Sequence, residues 1–161
     1  MGILEKQISE FTPSTDCLEL IKHFEGMELK AYRDGGGVLT IGVGHTRGVT
    51  ESMTCSYLQA MKWLEEDVEI ACAAIPKLVK VPLQQHQFDA LCSFVFNLGE
   101  GQFSRSTLLR KLNESDYRGA DEQFPRWVYD NGKKFLGLQR RRDAERLLFL
   151  GYSWKNYQKE F

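Results

Sequence analysis

Two carboxylates and a hydroxyl stand close together near the start of the chain. Eight residues separate Glu25 from Asp34, and five separate Asp34 from Thr40. Glu25 follows a segment whose Cys17, Leu18, Ile21 and Phe24 recur at helical spacing, and it precedes Gly26, a natural helix stop. A carboxyl in that place is expected to be partly out of water and to oppose the helix dipole. Both conditions favour its protonated form, as a general acid requires. Asp34 opens a glycine turn, and Thr40 lies in the β-rich run that follows. Each residue taken alone also has an ordinary reading: a solvated glutamate, a turn-opening aspartate, a strand threonine. Together, on a helix end and a hairpin, they can converge on one cleft. Two carboxyls in different environments are the minimal equipment for hydrolysing a glycosidic bond, one protonating the leaving oxygen and the other serving the opposite face.

The elements that must position these groups are legible. Ser14 or Thr15 can cap the first helix after Pro13. Leu29, Ala31 and Tyr32, then Asp34-Gly35-Gly36-Gly37, then Val38 to Val43 read as a β-hairpin, the one convincing sheet element. Thr54 is expected to cap a long amphipathic helix carrying Leu58, Met61, Leu64, Val68, Cys72 and Ile75, ended by Pro76. A second run, with Phe88, Leu91, Cys92, Val95 and Leu98, is apolar nearly all round and should be central. Shorter helices are expected at Thr107–Leu112, Ser115–Phe124 and Gly137–Leu150, and Trp154, Tyr157 and Phe161 suggest a docked last turn. The expected fold is α+β and mostly α. Residues 1–13 form an extension, 14–53 a small lobe with the hairpin, 54–75 a connecting helix and 76–161 a helical lobe.

Composition narrows the partners. The 161 residues carry a formal net charge of −1, so no basic field suggests nucleic acid. No run approaches the ~18 apolar residues of a membrane span, and the first residues show no signal-peptide pattern. The expectation is a soluble chain made in the cytoplasm. Cys17, Cys55, Cys72 and Cys92 include no CxxC pair and have no histidine at ligand spacing. Counting alone leaves disulfides open, but four unpaired thiols are the preferred reading. No metal or other cofactor is expected.

The segment HFEGMELKAYRDGGGVLTIGVGHT resembles the catalytic segment of the phage-type lysozymes, glycoside hydrolase family 24. The family pattern of Glu, eight residues, Asp, five residues, Thr is met at Glu25, Asp34 and Thr40, and the flanking Phe24, Gly26, Ala31-Tyr32, Ile41-Gly42 and Gly44-His45 agree. The resemblance continues through Val81-Pro82-Leu83, Gln87–Leu91, Phe94–Gly99, Phe103–Leu109, Arg126-Trp127 and Gly137-Leu138 to Arg140-Arg141-Arg142 and Glu145, spanning roughly residues 14 to 157. Two departures stand out. Gln84 replaces a usual capping Ser or Thr, and the turn after Asp34 is unusually rich in glycine.

The resemblance implies a two-lobed lysozyme-like fold and hydrolysis of the β-1,4 bond between N-acetylmuramic acid and N-acetylglucosamine in bacterial peptidoglycan. Glu25 would be the general acid, with Asp34 and Thr40 positioning the attacking water and the anomeric centre inverting. It also implies saccharide-binding roles for Phe96, Asn97, Ser106 and Arg140. Core packing remains open for Phe96, helix capping for Ser106 and a solvated face for Arg140. His45 reads as structural, and His23 and His86 as without special role. The implied setting is host lysis by a monomer that reaches the periplasmic wall once a separate protein has permeabilised the membrane. A delivered antibacterial effector with the same chemistry, or a non-catalytic wall-binding module, are the alternatives. Clearing of permeabilised cells separates enzyme from module.

Overall fold

The computed structural model describes residues 7–159. Helix α1 (Thr15–Glu25) begins at Ser14 and stops at Gly26, whose φ of 76° only glycine adopts readily. The Ser14 N–H and hydroxyl both donate to Asp89, so the capping side chain ties α1 to the central helix instead of closing its own first turn. Strands β1 (Glu28–Arg33) and β2 (Leu39–Gly42) pair antiparallel, with Tyr32 opposite Thr40 and Arg33 opposite Leu39. The expected hairpin is therefore present.

Helix α2 (Tyr57–Cys72) is shorter than expected at both ends. Its cap is Ser56, which accepts from the Gln59 N–H, and not Thr54. Thr54 is occupied elsewhere. It bridges Lys30, and the neighbouring backbone bonds join Ala31 N–H to Met53 C=O and Cys55 N–H to Leu29 C=O. The segment thus extends the hairpin by a short third partner. Pro76 does not end the run: a brief helix α3 (Ala74–Leu78) contains it in its first turn, where a missing N–H costs nothing.

Helix α4 (Gln85–Leu98) is buried almost all round, as its composition demands. Gln87 reaches back to accept from the Gln84 N–H at 2.9 Å, so the start lacking Ser or Thr is still capped. Around α4 pack α5 (Glu100–Ser104), α6 (Thr107–Asn113), α7 (Tyr117–Asp121) and α8 (Leu136–Phe149). A 3₁₀ turn over Trp154–Lys159 docks Trp154 and Tyr157 into the core, while Phe161 lies outside the described residues. The described part of the N-terminal extension is docked too: Phe11 stacks on Phe88 at 5.4 Å, and the Gln85 amide donates to Thr12 C=O.

Two features overturn expectations. A second hairpin, β3 (Tyr129–Asp130) with β4 (Lys133–Lys134), stands before α8. Cys72 and Cys92 form a disulfide between the end of α2 and the middle of α4, leaving only Cys17 and Cys55 free. The expectation of four unpaired thiols is corrected. Two core-facing positions on adjacent helices brought the sulfurs together, with Cα atoms 5.1 Å apart, and spacing along the chain does not reveal that contact.

Candidate active site

Glu25 ends α1 with its side chain about a quarter exposed. Its Oε1 accepts from Arg141 Nη1 at 2.7 Å. Its Oε2 lies toward Gly44, where an added Cβ would sit 3.6 Å away. Gly44 has a φ of 68° within a tight turn closed by paired backbone bonds between Ile41 and His45. His45 secures that turn: its ring stacks on Trp63 at 4.5 Å, and Nδ1 meets Asp67 Oδ2 at 2.7 Å. Arg47 donates to the other Asp67 oxygen at 2.6 Å. His45 thus has a structural environment, as do His23 against Tyr157 and His86 against Phe149 C=O and Gln84.

Arg141 is itself held from behind. Its Nε faces Glu145 at 3.4 Å, and its Nη2 donates to Ser93 C=O and Oγ, each at 3.3 Å. Ser93 Oγ donates to Glu145 at 2.6 Å, and Arg142 meets Glu145 at 2.8 Å. All these groups are buried. Sequence reasoning placed Arg140 near Glu25. The structure places Arg141 there, and Arg140 is exposed, because the helix turns about 100° per residue.

Asp34 is exposed at the hairpin tip. Its Oδ1 accepts from the Gly36 and Val38 N–H groups, both at 2.9 Å, which fixes the carboxylate despite the three glycines. Oδ2 remains on offer. Thr40 is buried, and its Oγ1 donates to Val38 C=O at 2.9 Å, keeping its lone pairs as acceptors. Cross-strand pairing sets Thr40 opposite Tyr32, while Asp34 lies just beyond the end of β1. The Tyr32 phenol lies in an acidic neighbourhood. It is pushed above its ordinary value by burial first, then by the negative charges of Glu25, Glu28 and Asp34.

Two cavities flank Glu25 and share it with Asn97. One, of ≈ 490 Å³, is also lined by Gly44, Arg47, Asp67 and Phe96. The other, of ≈ 480 Å³, is walled by Phe24, Tyr129, Asp130, Phe135 and Arg141 among others. Asn97 is oriented by Arg142, which donates to its Oδ1 at 2.7 Å. Phe96 and Asn97 therefore line a cavity at Glu25. Ser106 does not: it is buried, donates to Phe103 C=O and accepts from the Leu109 N–H as the cap of α6. Tyr129 and Phe135 were missed, although Asn131-Gly132 between them is a strong hairpin signal; their φ values of 50° and 77° suit a tight two-residue turn.

Residues 22–145 match the family model described as phage lysozyme. An endolysin of Acyrthosiphon pisum secondary endosymbiont phage 1 is 45% identical over 136 residues, covering 82% of this chain and 93% of that protein. A SAR-endolysin of Escherichia phage Mu is 46% identical over 123 residues, covering 76% and 72%. The solved structure of a P22 lysozyme variant superposes with a TM-score of 0.81 at 41% identity, covering 87% of this chain and 99% of that one. With its mostly helical fold, small hairpin and cleft at Glu25, the chain belongs to the phage lysozyme family, the muramidases that hydrolyse peptidoglycan to lyse the host cell.

Proposed function

We propose that Glu25 is the general acid of this muramidase and that Asp34 and Thr40 hold the attacking water. The observation that carries the reading is the placement of Glu25 at the junction of two cavities, with Oε1 fixed by Arg141 and Oε2 turned toward the cleft. A glycan strand threaded through both cavities brings its scissile oxygen to Oε2. On the opposite face, a water donates one hydrogen to Asp34 Oδ2 and the other to Thr40 Oγ1. Its lone pair is then free to attack the anomeric carbon. Glu25 gives its proton to the leaving oxygen as the bond breaks, and Asp34 takes the water's proton, so one turnover inverts the centre. Phe96 and the Asn97 NH₂ line the strand's path and contact its sugars.

Glu25→Gln keeps the shape and removes the transferable proton, so hydrolysis should fall by at least ~10²–10⁴-fold in a folded protein. Thr40→Val removes only the hydroxyl and isolates its share. Near-normal clearing of permeabilised cells by folded Glu25→Gln would remove Glu25 from the role of acid. We propose further that the enzyme is made in the host cytoplasm, acts as a monomer and meets its substrate after a separate protein permeabilises the membrane, because peptidoglycan lies on the membrane's far side. Expression alone should leave cells intact, and a permeabilising agent should then lyse them.

A further inference from the structure

The β3–β4 hairpin is not part of the proposed catalytic set, yet it forms one wall of the cavity at Glu25. Tyr129, Asp130 and Phe135 line that cavity together with Glu25 and Arg141. Tyr129 is 61% exposed and Phe135 46%. Exposed aromatic rings on a cavity wall offer apolar surface to a molecule that enters and covers them. Here the covering molecule must share a cavity with the catalytic acid. The rings stand on a pre-set support: Asn131 and Gly132 close the turn, Tyr129 pairs with Lys134, and the Phe135 N–H donates to Val128 C=O at 3.0 Å. Val128 is buried, which fixes the strand base to the core. Pyranose rings offer apolar C–H faces that match flat aromatic surfaces, with hydroxyl and acetamido edges for polar neighbours. We propose that this hairpin is a saccharide-stacking wall in which Tyr129 and Phe135 cover sugar faces on one side of the scissile bond and Asp130 accepts from a sugar O–H or N–H. The proposal rests on the reading of Glu25 as the catalytic centre of the cleft.

The test uses the full chain and two substrates: whole sacculi, and glycan strands stripped of their peptides by an amidase. Tyr129→Ala and Phe135→Ala should each raise KM roughly tenfold, the scale of losing one aromatic anchor at an interface, and lower kcat much less. The loss should be equal on both substrates, because the rings face sugar. Tyr129→Phe should restore the KM, since the ring and not the hydroxyl makes the contact. Tyr152→Ala, equally exposed but outside both cavities, controls for general surface effects and should change neither constant. Thermal melts report folding, and all these side chains are exposed enough to leave it intact. Retention of Glu25→Gln on stripped strands, lost on adding Tyr129→Ala, reads the wall without any turnover. An active Glu25→Gln would overturn the catalytic assignment while leaving this retention readout valid. The wall itself is overturned by unchanged KM and unchanged retention in the Tyr129→Ala/Phe135→Ala double variant, or by a loss confined to peptide-bearing sacculi.

Discussion

Arg141 grips Glu25 with one guanidinium nitrogen while the others face Ser93 and Glu145. A planar fork can meet three partners at fixed angles, and an ammonium cannot. Arg141→Lys should therefore keep the charge but free the Glu25 carboxyl to wander. Misplacing a reacting group by about 1 Å costs on the order of 10²-fold, so turnover should drop toward that scale with the melting temperature little changed. Arg140→Ala should leave turnover alone. Steady-state kinetics on sacculi checks both. The phase of α8 could have singled out the right arginine from sequence. Arg141, Ala144, Glu145 and Leu148 share a face, and Ala144 and Leu148 already mark it as the buried one. Glu25, Asp34 and Thr40 were singled out because their types and spacing form a local pattern. The carbonyl that Thr40 bonds and the fork that holds Glu25 come from the folded chain and are not in the spacing.

At the scale of elements, hydrophobic period and capping residues located α1, the first hairpin, α4 and α8. Misreadings arose where distant contacts decided the outcome: Thr54 bridging β1, Pro76 absorbed into the first turn of α3, and β3–β4 overlooked because its strands are two residues long. The Cys72–Cys92 bond is another such contact. It closes a loop with a sequence separation of 20, and a loop of about that size should stabilise by roughly 3 kcal/mol through the unfolded state. Cys72→Ser/Cys92→Ser should unfold at lower denaturant by about that margin. Alkylation of the denatured, unreduced protein should label only Cys17 and Cys55; four labels on protein purified from an oxidising medium would contradict the bond.

The tie between α1 and α4 has a pH signature. Asp89 is buried against Ser14 and Gln85, and burial lifts it above the ordinary carboxylate value of 3.8 despite the hydrogen bonds that pull it down. A carboxyl raised in the folded state holds its proton more tightly there than in the unfolded chain. Its contribution is fully present below 3.8 and is lost as pH rises through the folded value. Asp121 is raised as well, by burial against the pull of Arg146. Asp89→Asn keeps an acceptor for the Ser14 N–H and cannot ionise. Its stability relative to the parent protein should therefore improve as pH rises from about 3.5 toward 6. Urea midpoints taken across that range should show the gap moving in this direction, and an opposite drift would mean that the hydrogen bonds outweigh burial.

The whole molecule is joined across its cleft by one ionic network. Glu25 on α1 meets Arg141 on α8 over a separation of 116 residues, and behind Arg141 stand Glu145, Arg142, Ser93 and Asn97. Glu145 and Arg142 are fully buried, and burial pushes the Arg142 guanidinium down from its ordinary value while Glu145 pulls it up. Two buried cations on neighbouring residues are tolerable because Glu145 meets both and Glu25 also meets Arg141. Removing one partner from such a cluster typically costs about 3–5 kcal/mol, since a charge is stranded away from water, whereas replacing a whole pair by apolar groups costs far less. Glu145→Gln should therefore lose about that much stability, and its remaining activity should fall further because Arg141 no longer holds its angle to Glu25. Adding Arg142→Met to Glu145→Gln removes the stranded cation that faces Phe94 at 5.3 Å. The double variant should recover part of the lost stability, giving a coupling energy of the sign that opposes additivity. It should not recover turnover, because Asn97 loses the donor that orients it. Denaturant titrations of the three variants, read beside their hydrolysis rates, separate the two effects. Strictly additive losses would show that Arg142 does not depend on the shared carboxylate.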